Sequence, residues 1–163
     1  MIKNMEDAVS EIVQVNRDQI EHRALWMGLI FEEMRKAGLD AEKITRAAIR
    51  KCGIFHGNIF KENCKDKENL VEFRKVFPPD IAVGTFYMNP ITADRDSLKL
   101  DFNYCALVSA WQKLGFDDET CALLCDIAME GDRGIAEAMG YKLVLTDTIA
   151  KGCSSCKLEF VKA

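Results

Sequence analysis

Cysteines have the widest chemical range of any residue type in this 163-residue sequence, which contains seven of them. A thiolate acts as a nucleophile or a metal ligand, whereas a thiol buried among hydrocarbon behaves as a small apolar residue. Cys121 and Cys125 lie one helical turn apart, and Cys153 and Cys156 form a C-x-x-C pair. These four could bind zinc, although a helix interior is an unusual place for zinc ligands, and core packing is the simpler prediction for Cys121.

Three cysteines occupy positions that favour chemistry. Cys105 begins a predicted helix directly after a predicted strand, where free backbone N–H groups and the helix dipole stabilise a thiolate. Cys156 starts the inward-facing row of a predicted strand, and Cys125 is followed by Asp126, an acid in an otherwise apolar helix. For these three cysteines, both core packing and chemistry remain open.

The histidines add few candidates for catalysis or metal binding. His56 lies one turn beyond Cys52 and between Gly53 and Gly57, so a ligand could approach the backbone there. A close contact between two helices explains the same glycines, and we favour that interpretation. Cys52 and Cys64 are predicted to be core residues.

The elements that must position these residues follow from the hydrophobic period. Apolar residues recur at helical spacing over residues 5–34, with a polar first half predicted on the surface and an almost entirely apolar segment, 24–31, predicted to be buried. Gly38 ends this helix and Asp40 caps the next. The second helix carries an apolar stripe that we predict to face the core: Ala41, Ile44, Ala48, Cys52, Phe55 and Ile59.

The second half of the chain alternates between strands and helices. A short helix over 68–76 ends before Pro78 and Pro79. Strand patterns at 83–88 and 98–102 predict a hairpin, and those at 141–149 and 156–162 predict a second strand pair. Helical patterns at 104–114, 117–130 and 133–139 separate the two pairs. The segments 97–102 and 155–160 share a pattern, which suggests equivalent strands in one sheet.

The predicted fold is therefore α+β, with a helical N-terminal half and then a four-stranded antiparallel sheet built from two strand pairs separated by helices. The length predicts a single domain over residues 1–163, with a helical part at 1–77 and the hairpin, helices and second hairpin at 78–163.

Charge and composition exclude several classes of protein. The net charge is −4, and acidic residues concentrate between 94 and 137, which disfavours nucleic acid and anionic membranes as partners. No apolar run is long enough to span a bilayer, and Glu6, Asp7 and Glu11 interrupt any signal-peptide pattern. An odd number of cysteines indicates free thiols in a reducing compartment. We expect a cytoplasmic protein of bacterial type, with a long first helix that offers a pairing surface for a homo-oligomer.

The second half of the sequence also resembles a known family. Cys105 with Trp111 and Gly115, then Leu124-Cys125-Asp126, then residues 148–152 leading to Cys156 and Phe160, resemble the L-2-amino-thiazoline-4-carboxylic acid hydrolase family. The match covers about residues 98–162. Ala106 stands where the family often has proline, a departure that affects helix entry more than chemistry.

The resemblance implies a hydrolase that opens a small cyclic amidine acid to an N-carbamoyl amino acid. It promotes Cys105, Cys125 and Cys156 as the functional trio, since Cys121 and Cys153 do not belong to the family pattern. Two mechanisms stay open. Cys105 attacks the ring carbon covalently while Asp126 or His56 moves protons, which we prefer, or the trio binds a metal ion that activates water.

The competing function is a non-catalytic binding module. The same plan is similar to that of 4-vinyl-reductase-type sensor domains, in which the cysteines would line a cavity for a small molecule or hold a metal. A small-molecule substrate carrying a carboxylate requires a cation in the pocket, for which Arg133 and Lys113 are the sequence candidates. We expect no cofactor, and a metal ion on the cysteines is the alternative.

Overall fold

The computed structural model describes residues 1–5 and 7–163; Glu6, one of the acids that argued against a signal peptide, lies outside the described residues. Helices dominate the first half of the chain. A long pair of helices is followed by two short ones, with these bounds: α1 Glu11–Lys36, α2 Ala41–Asn63, α3 Leu70–Arg74 and α4 Asp80–Thr85. The predicted cap at Asp40 is confirmed, because its side chain accepts a hydrogen bond from the Lys43 N–H at 3.1 Å.

The second half contains a four-stranded antiparallel sheet and three more α-helices, which confirms the predicted α+β class. The elements, in chain order, are β1 Met88–Ala93, β2 Ser97–Phe102, α5 Ala106–Lys113, α6 Asp118–Ala128, α7 Glu130–Met139, β3 Tyr141–Asp147 and β4 Cys156–Lys162. A short 3-10 turn, Ile149–Lys151, connects β3 to the loop before β4.

The sheet has the order β1-β2-β4-β3, so the two strands with the shared sequence pattern are its central pair. They run antiparallel with Leu98 opposite Phe160, Leu100 opposite Leu158 and Phe102 opposite Cys156. Alternation along β4 therefore sends Cys156, Leu158 and Phe160 to the buried face. This register places one thiol of the predicted trio at the inner end of a central strand.

The predicted strand at 83–88 is wrong. Residues 80–85 form helix α4, which begins directly after Pro79, and the strand starts only at Met88. Strand β1 then includes the Asn89-Pro90 pair that we expected in a turn. It tolerates proline because it is an edge strand whose register shifts between Met88 and Ile91, so the missing N–H breaks no regular ladder.

The predicted burial of α1 is also wrong for residues in both of its halves. In its polar half Arg17 is fully buried: its guanidinium lies 4.1 Å from the Tyr104 ring centroid, and its Nε donates to the Thr85 carbonyl at 3.0 Å. In its apolar half Trp26 and Ile30 are more than half exposed. The sequence pattern failed here because hydrogen-bonded partners allow charged groups to be buried, and because only one side of the helix meets the protein.

The same correction applies to α2. Within the predicted apolar stripe, Ile44, Phe55 and Ile59 are exposed, and the helix buries its small residues instead. A Cβ on Gly53 would lie 2.0 Å from the Gly131 carbonyl oxygen, and one on Gly134 would lie 2.5 Å from the Arg50 carbonyl oxygen. The helix–helix interpretation of Gly53 and Gly57 is confirmed: glycines on both sides let α2 and α7 pack backbone to backbone.

Among the described residues, no helix combines the length and the hydrophobicity needed to cross a membrane.

Candidate functional site

A cavity of about 380 Å³ lies where the inner face of the sheet meets the helices. Cys105, Cys125 and Cys156 all line it, although they come from the start of α5, the middle of α6 and the start of β4. Three thiols that are far apart in the sequence thus share one hollow, as the sequence hypothesis required.

Cys105 is the N-cap residue of α5, held by the N-terminal segment. The Asn4 side chain accepts from the Cys105 N–H at 2.9 Å and donates to its carbonyl at 2.8 Å. Burial raises the pKa of the Cys105 thiol, and hydrogen bonds from the Val108 and Leu107 backbone N–H groups act in the opposite direction. The helix start therefore lowers the thiol pKa, as the sequence predicted, but the loss of hydration raises the pKa by more.

The other two thiols are buried more deeply, with 7% of Cys125 and 6% of Cys156 exposed. Burial raises the pKa of the Cys156 thiol to about 12, partly offset by a hydrogen bond from the Ile149 N–H, whose nitrogen lies 3.2 Å from Sγ. Burial also raises the pKa of Cys125, and the charges of Cys105 and Cys156 raise it further. Burial thus favours the protonated thiol at all three positions, so a reaction through a thiolate needs a base.

His56 and Asp126 have different positions. His56, on α2, is exposed and lines the cavity. Asp126 does not line it; its carboxylate pairs with Arg46 and Arg133, each at 2.7 Å. Burial alone would raise the pKa of Asp126, but hydrogen bonds from these two guanidinium groups lower it. An ion-paired carboxylate of lowered pKa is a poor proton carrier, so the structure does not support the role predicted for Asp126.

The cations suggested by the sequence are also engaged elsewhere. Arg133 pairs with Asp126 and Glu130, and Lys113 pairs with Glu21; neither lines the cavity. Arg23, exposed on α1, does line it. Sequence reasoning missed Arg23 because it lies on a helix whose orientation only the tertiary packing reveals.

Asp132 is the second residue that sequence reasoning missed. It lies in the first turn of α7, is half-buried and lines the cavity. Burial raises the pKa of its carboxyl group to about 6, against the opposing charges of Arg133 and Arg23. Within the part of the chain that the structure describes, no side chain forms an ion pair with it. An acid placed between Gly131 and Gly134 was the available signal, because small residues open space around it.

The remaining cysteines divide between core, surface and loop. Cys121 is fully buried in the hydrophobic core, as predicted, and burial raises the pKa of its thiol to about 11. Cys52 is exposed and lines the cavity, so its predicted core position is wrong. Cys64 and Cys153 are half-buried and do not line the cavity. No group of three or more histidine, cysteine, aspartate or glutamate side chains with metal-binding geometry occurs among the described residues.

The cavity lining is otherwise mostly apolar. Arg23 and Asp132 are its only charged side chains among the described residues, and both lie on helices rather than on the sheet. Hydrophobic side chains from the sheet and from most of the helices form much of the remaining wall, including Trp111, Met88 and Leu158. An apolar cavity with a few converging polar groups is the usual form of a small-molecule site.

A family model described as L-2-amino-thiazoline-4-carboxylic acid hydrolase matches residues 17–160, nearly the whole chain. No curated protein and no solved structure gives a significant match.

Proposed function

Because the chain belongs to the L-2-amino-thiazoline-4-carboxylic acid hydrolase family, we propose that it hydrolyses a cyclic amidine acid of the 2-aminothiazoline-4-carboxylate type inside the thiol-lined cavity. The convergence of Cys105, Cys125 and Cys156 on one cavity supports this proposal most directly. A charged arginine and a carboxyl group of raised pKa in the same cavity add to it.

The proposed reaction has two balanced halves. A thiol sulfur attacks ring carbon 2, the bond between that carbon and the ring sulfur breaks, and the proton of the attacking thiol passes to the departing sulfur. The enzyme then holds an S-linked isothiourea of cysteine. Water adds to the same carbon, the enzyme sulfur leaves and takes a proton, and an N-carbamoyl-cysteine results. One water molecule is consumed, and no oxidant or reductant is needed.

Cys105 is the nucleophile in this proposal. Two backbone N–H groups favour its thiolate, whereas one favours that of Cys156. The two hydrogen bonds from Asn4 fix the backbone of Cys105 at the start of α5. Cys125 and Cys156 then line the cavity as uncharged thiols that exclude water.

Asp132 is the proton carrier in this proposal. Its carboxyl group, with a pKa of about 6, is largely ionised at neutral pH, so it can accept a proton and return it within one cycle. A raised carboxyl pKa brings the acid closer to the pKa of the groups it serves and makes proton transfer in both directions easier. His56, on the same cavity wall as Cys52, is the second group available for proton transfer.

Arg23 supplies the positive charge that the substrate carboxylate requires. Its guanidinium is exposed at the cavity, and two parallel N–H bonds from a guanidinium match the geometry of a carboxylate. The charge of Arg23 also lowers the pKa of Asp132, although burial outweighs it.

The mostly apolar lining favours a second candidate, a non-catalytic domain that binds a hydrophobic small molecule. Such a domain needs neither a cation nor a free carboxyl group in the cavity. Arg23 and Asp132 therefore make the hydrolase the better supported function.

The test is turnover of 2-aminothiazoline-4-carboxylate, followed by chromatography of the N-carbamoyl product. We expect Cys105→Ser to lower kcat at least a thousandfold, because serine is a far weaker nucleophile in an apolar site. Cys64→Ser, outside the cavity, is the matched control and should retain normal turnover. Normal turnover by Cys105→Ser would show that the nucleophile is assigned wrongly, and no turnover by the native protein would remove the proposed substrate.

A further inference from the structure

The cavity is larger and more hydrophobic than the family substrate requires. That molecule is a single small ring with one carboxylate and one amino group, and it would fill roughly 150 Å³ at the packing density of protein interiors. The cavity measures about 380 Å³, so more than half of it would stay empty. Empty apolar space next to a reacting centre forfeits packing contacts, and cavities of this size usually hold larger ligands.

Charge and burial divide the cavity into two parts. Arg23 and His56 are exposed, so these two polar side chains lie toward solvent, whereas Asp132 is half-buried. Trp111 is completely buried, Leu158 is 2% exposed and Cys125 and Cys156 are nearly as buried, so hydrocarbon and uncharged thiols line the part of the cavity farthest from solvent. A ligand that satisfies both parts has a charged head and an apolar body.

We infer that the substrate of this protein is a cyclic amidine acid with an apolar substituent, carried on the exocyclic nitrogen. This inference rests on the proposed function and narrows its substrate class. With the carboxylate at Arg23, the exocyclic nitrogen is the end of the ring farthest from solvent. A substituent there enters the hydrocarbon part without moving the ring carbon away from the thiols.

The remaining apolar wall fits this assignment. Ala82 of α4, Phe86 and Met88 come from one short segment at the start of the sheet, and all three line the cavity. Ala82 has the smallest side chain of the three, so it leaves room that a larger residue would fill. At this position the size of the apolar wall can be changed without replacing a thiol or a charged group.

Binding can be measured separately from turnover, because Trp111 lines the cavity and the chain has only two tryptophans. In a Trp26→Phe background, quenching of Trp111 fluorescence reports occupancy. The two probes are 2-aminothiazoline-4-carboxylate and its N-butyl derivative. Each buried methylene lowers Kd roughly fourfold. We therefore expect at least a tenfold lower Kd for the butyl compound, after allowing for the entropy of ordering the chain.

Ala82→Phe should abolish this gain and leave binding of the unsubstituted acid within about twofold, because it adds bulk to a wall (Ala82, Phe86 and Met88) that carries neither a thiol nor a charged group. Ala93→Phe, at an exposed position of β1, is the matched control and should keep the gain. The comparison within the native protein does not depend on whether either variant folds.

The outcomes separate the two proposals. Equal or weaker binding of the butyl compound, with turnover of the parent acid, would overturn the inference and leave the proposed function standing. Tighter binding of the butyl compound without turnover of either would overturn the hydrolysis and support a ligand with an apolar body. Tighter binding together with a higher kcat/KM supports both.

Discussion

Replacing Asp132 by asparagine should make the protein more stable at neutral pH and leave its stability unchanged in acid. The carboxyl pKa rises from 3.8 in the unfolded chain to about 6 in the folded protein, chiefly because burial disfavours its charge. The folded state therefore binds the proton more tightly than the unfolded state, and the contribution of this group to stability falls as the pH rises through that window. Asparagine has nearly the same shape and never takes up the charge.

The size of the stability change follows from the pKa shift of Asp132. About two pKa units correspond to at most about 3 kcal/mol of unfolding free energy. Partial exposure of the side chain to solvent reduces this figure. The net gain should be about 2 kcal/mol above pH 7 and close to zero below pH 4.

Denaturant unfolding at several pH values, followed by circular dichroism, measures the difference between the two proteins. Asp126→Asn is the control with the opposite sign, because its ion pairs with Arg46 and Arg133 lower the pKa of Asp126. That variant should lose stability relative to the native protein as the pH rises. A pH-independent difference between the native protein and Asp132→Asn would refute the argument that a desolvated carboxyl group lies in the cavity.

Three further predictions concern the cavity and the helices around it. In steady-state kinetics, Arg23→Gln should raise KM for 2-aminothiazoline-4-carboxylate about tenfold and change kcat little. The arginine binds the substrate carboxylate equally in the ground state and the transition state, so its loss weakens both to the same extent. Asn4→Ala should lower kcat by about tenfold, because it removes the two hydrogen bonds that fix the backbone of Cys105. An unchanged urea unfolding midpoint would show that the lower kcat is not caused by loss of stability. Gly53→Ala should destabilise the protein by about 2–3 kcal/mol in urea, since its Cβ would lie 2.0 Å from a backbone oxygen, whereas Gly131→Ala, whose nearest contact is 3.7 Å, should be nearly neutral.

Local pattern was enough to predict the fold class and three of the four strands. The alternation around Leu98 and Leu158 reflects one buried face of a sheet, and that pattern does not depend on the rest of the molecule. The convergence of the three thiols could also be proposed from sequence, through the family resemblance and the position of Cys105 at a helix start. The prediction of which side of each long helix faces the core was wrong.

The prediction of which helix faces are buried failed for a physical reason. The α2 helix turns its apolar stripe to solvent because Gly53 and Gly57 allow a closer approach on the other side, and a hydrophobicity pattern gives glycine little weight. Sequence reasoning named Asp126 as a proton carrier and did not consider Asp132, for a related reason. Both are acids near Cys125 in the sequence, and only the packing of α2 against α7 gives one of them two arginine partners and leaves the other in the cavity.

Mass spectrometry of the protein during turnover tests the central proposal most directly. Rapid acid quenching in the presence of excess 2-aminothiazoline-4-carboxylate, followed by peptide mapping, should reveal an adduct with the mass of one substrate molecule. The adduct should lie on the peptide that contains Cys105 and should be absent from Cys105→Ser. Turnover with no adduct on any cysteine, or an adduct confined to exposed Cys52, would contradict nucleophilic attack from the thiol at the start of α5.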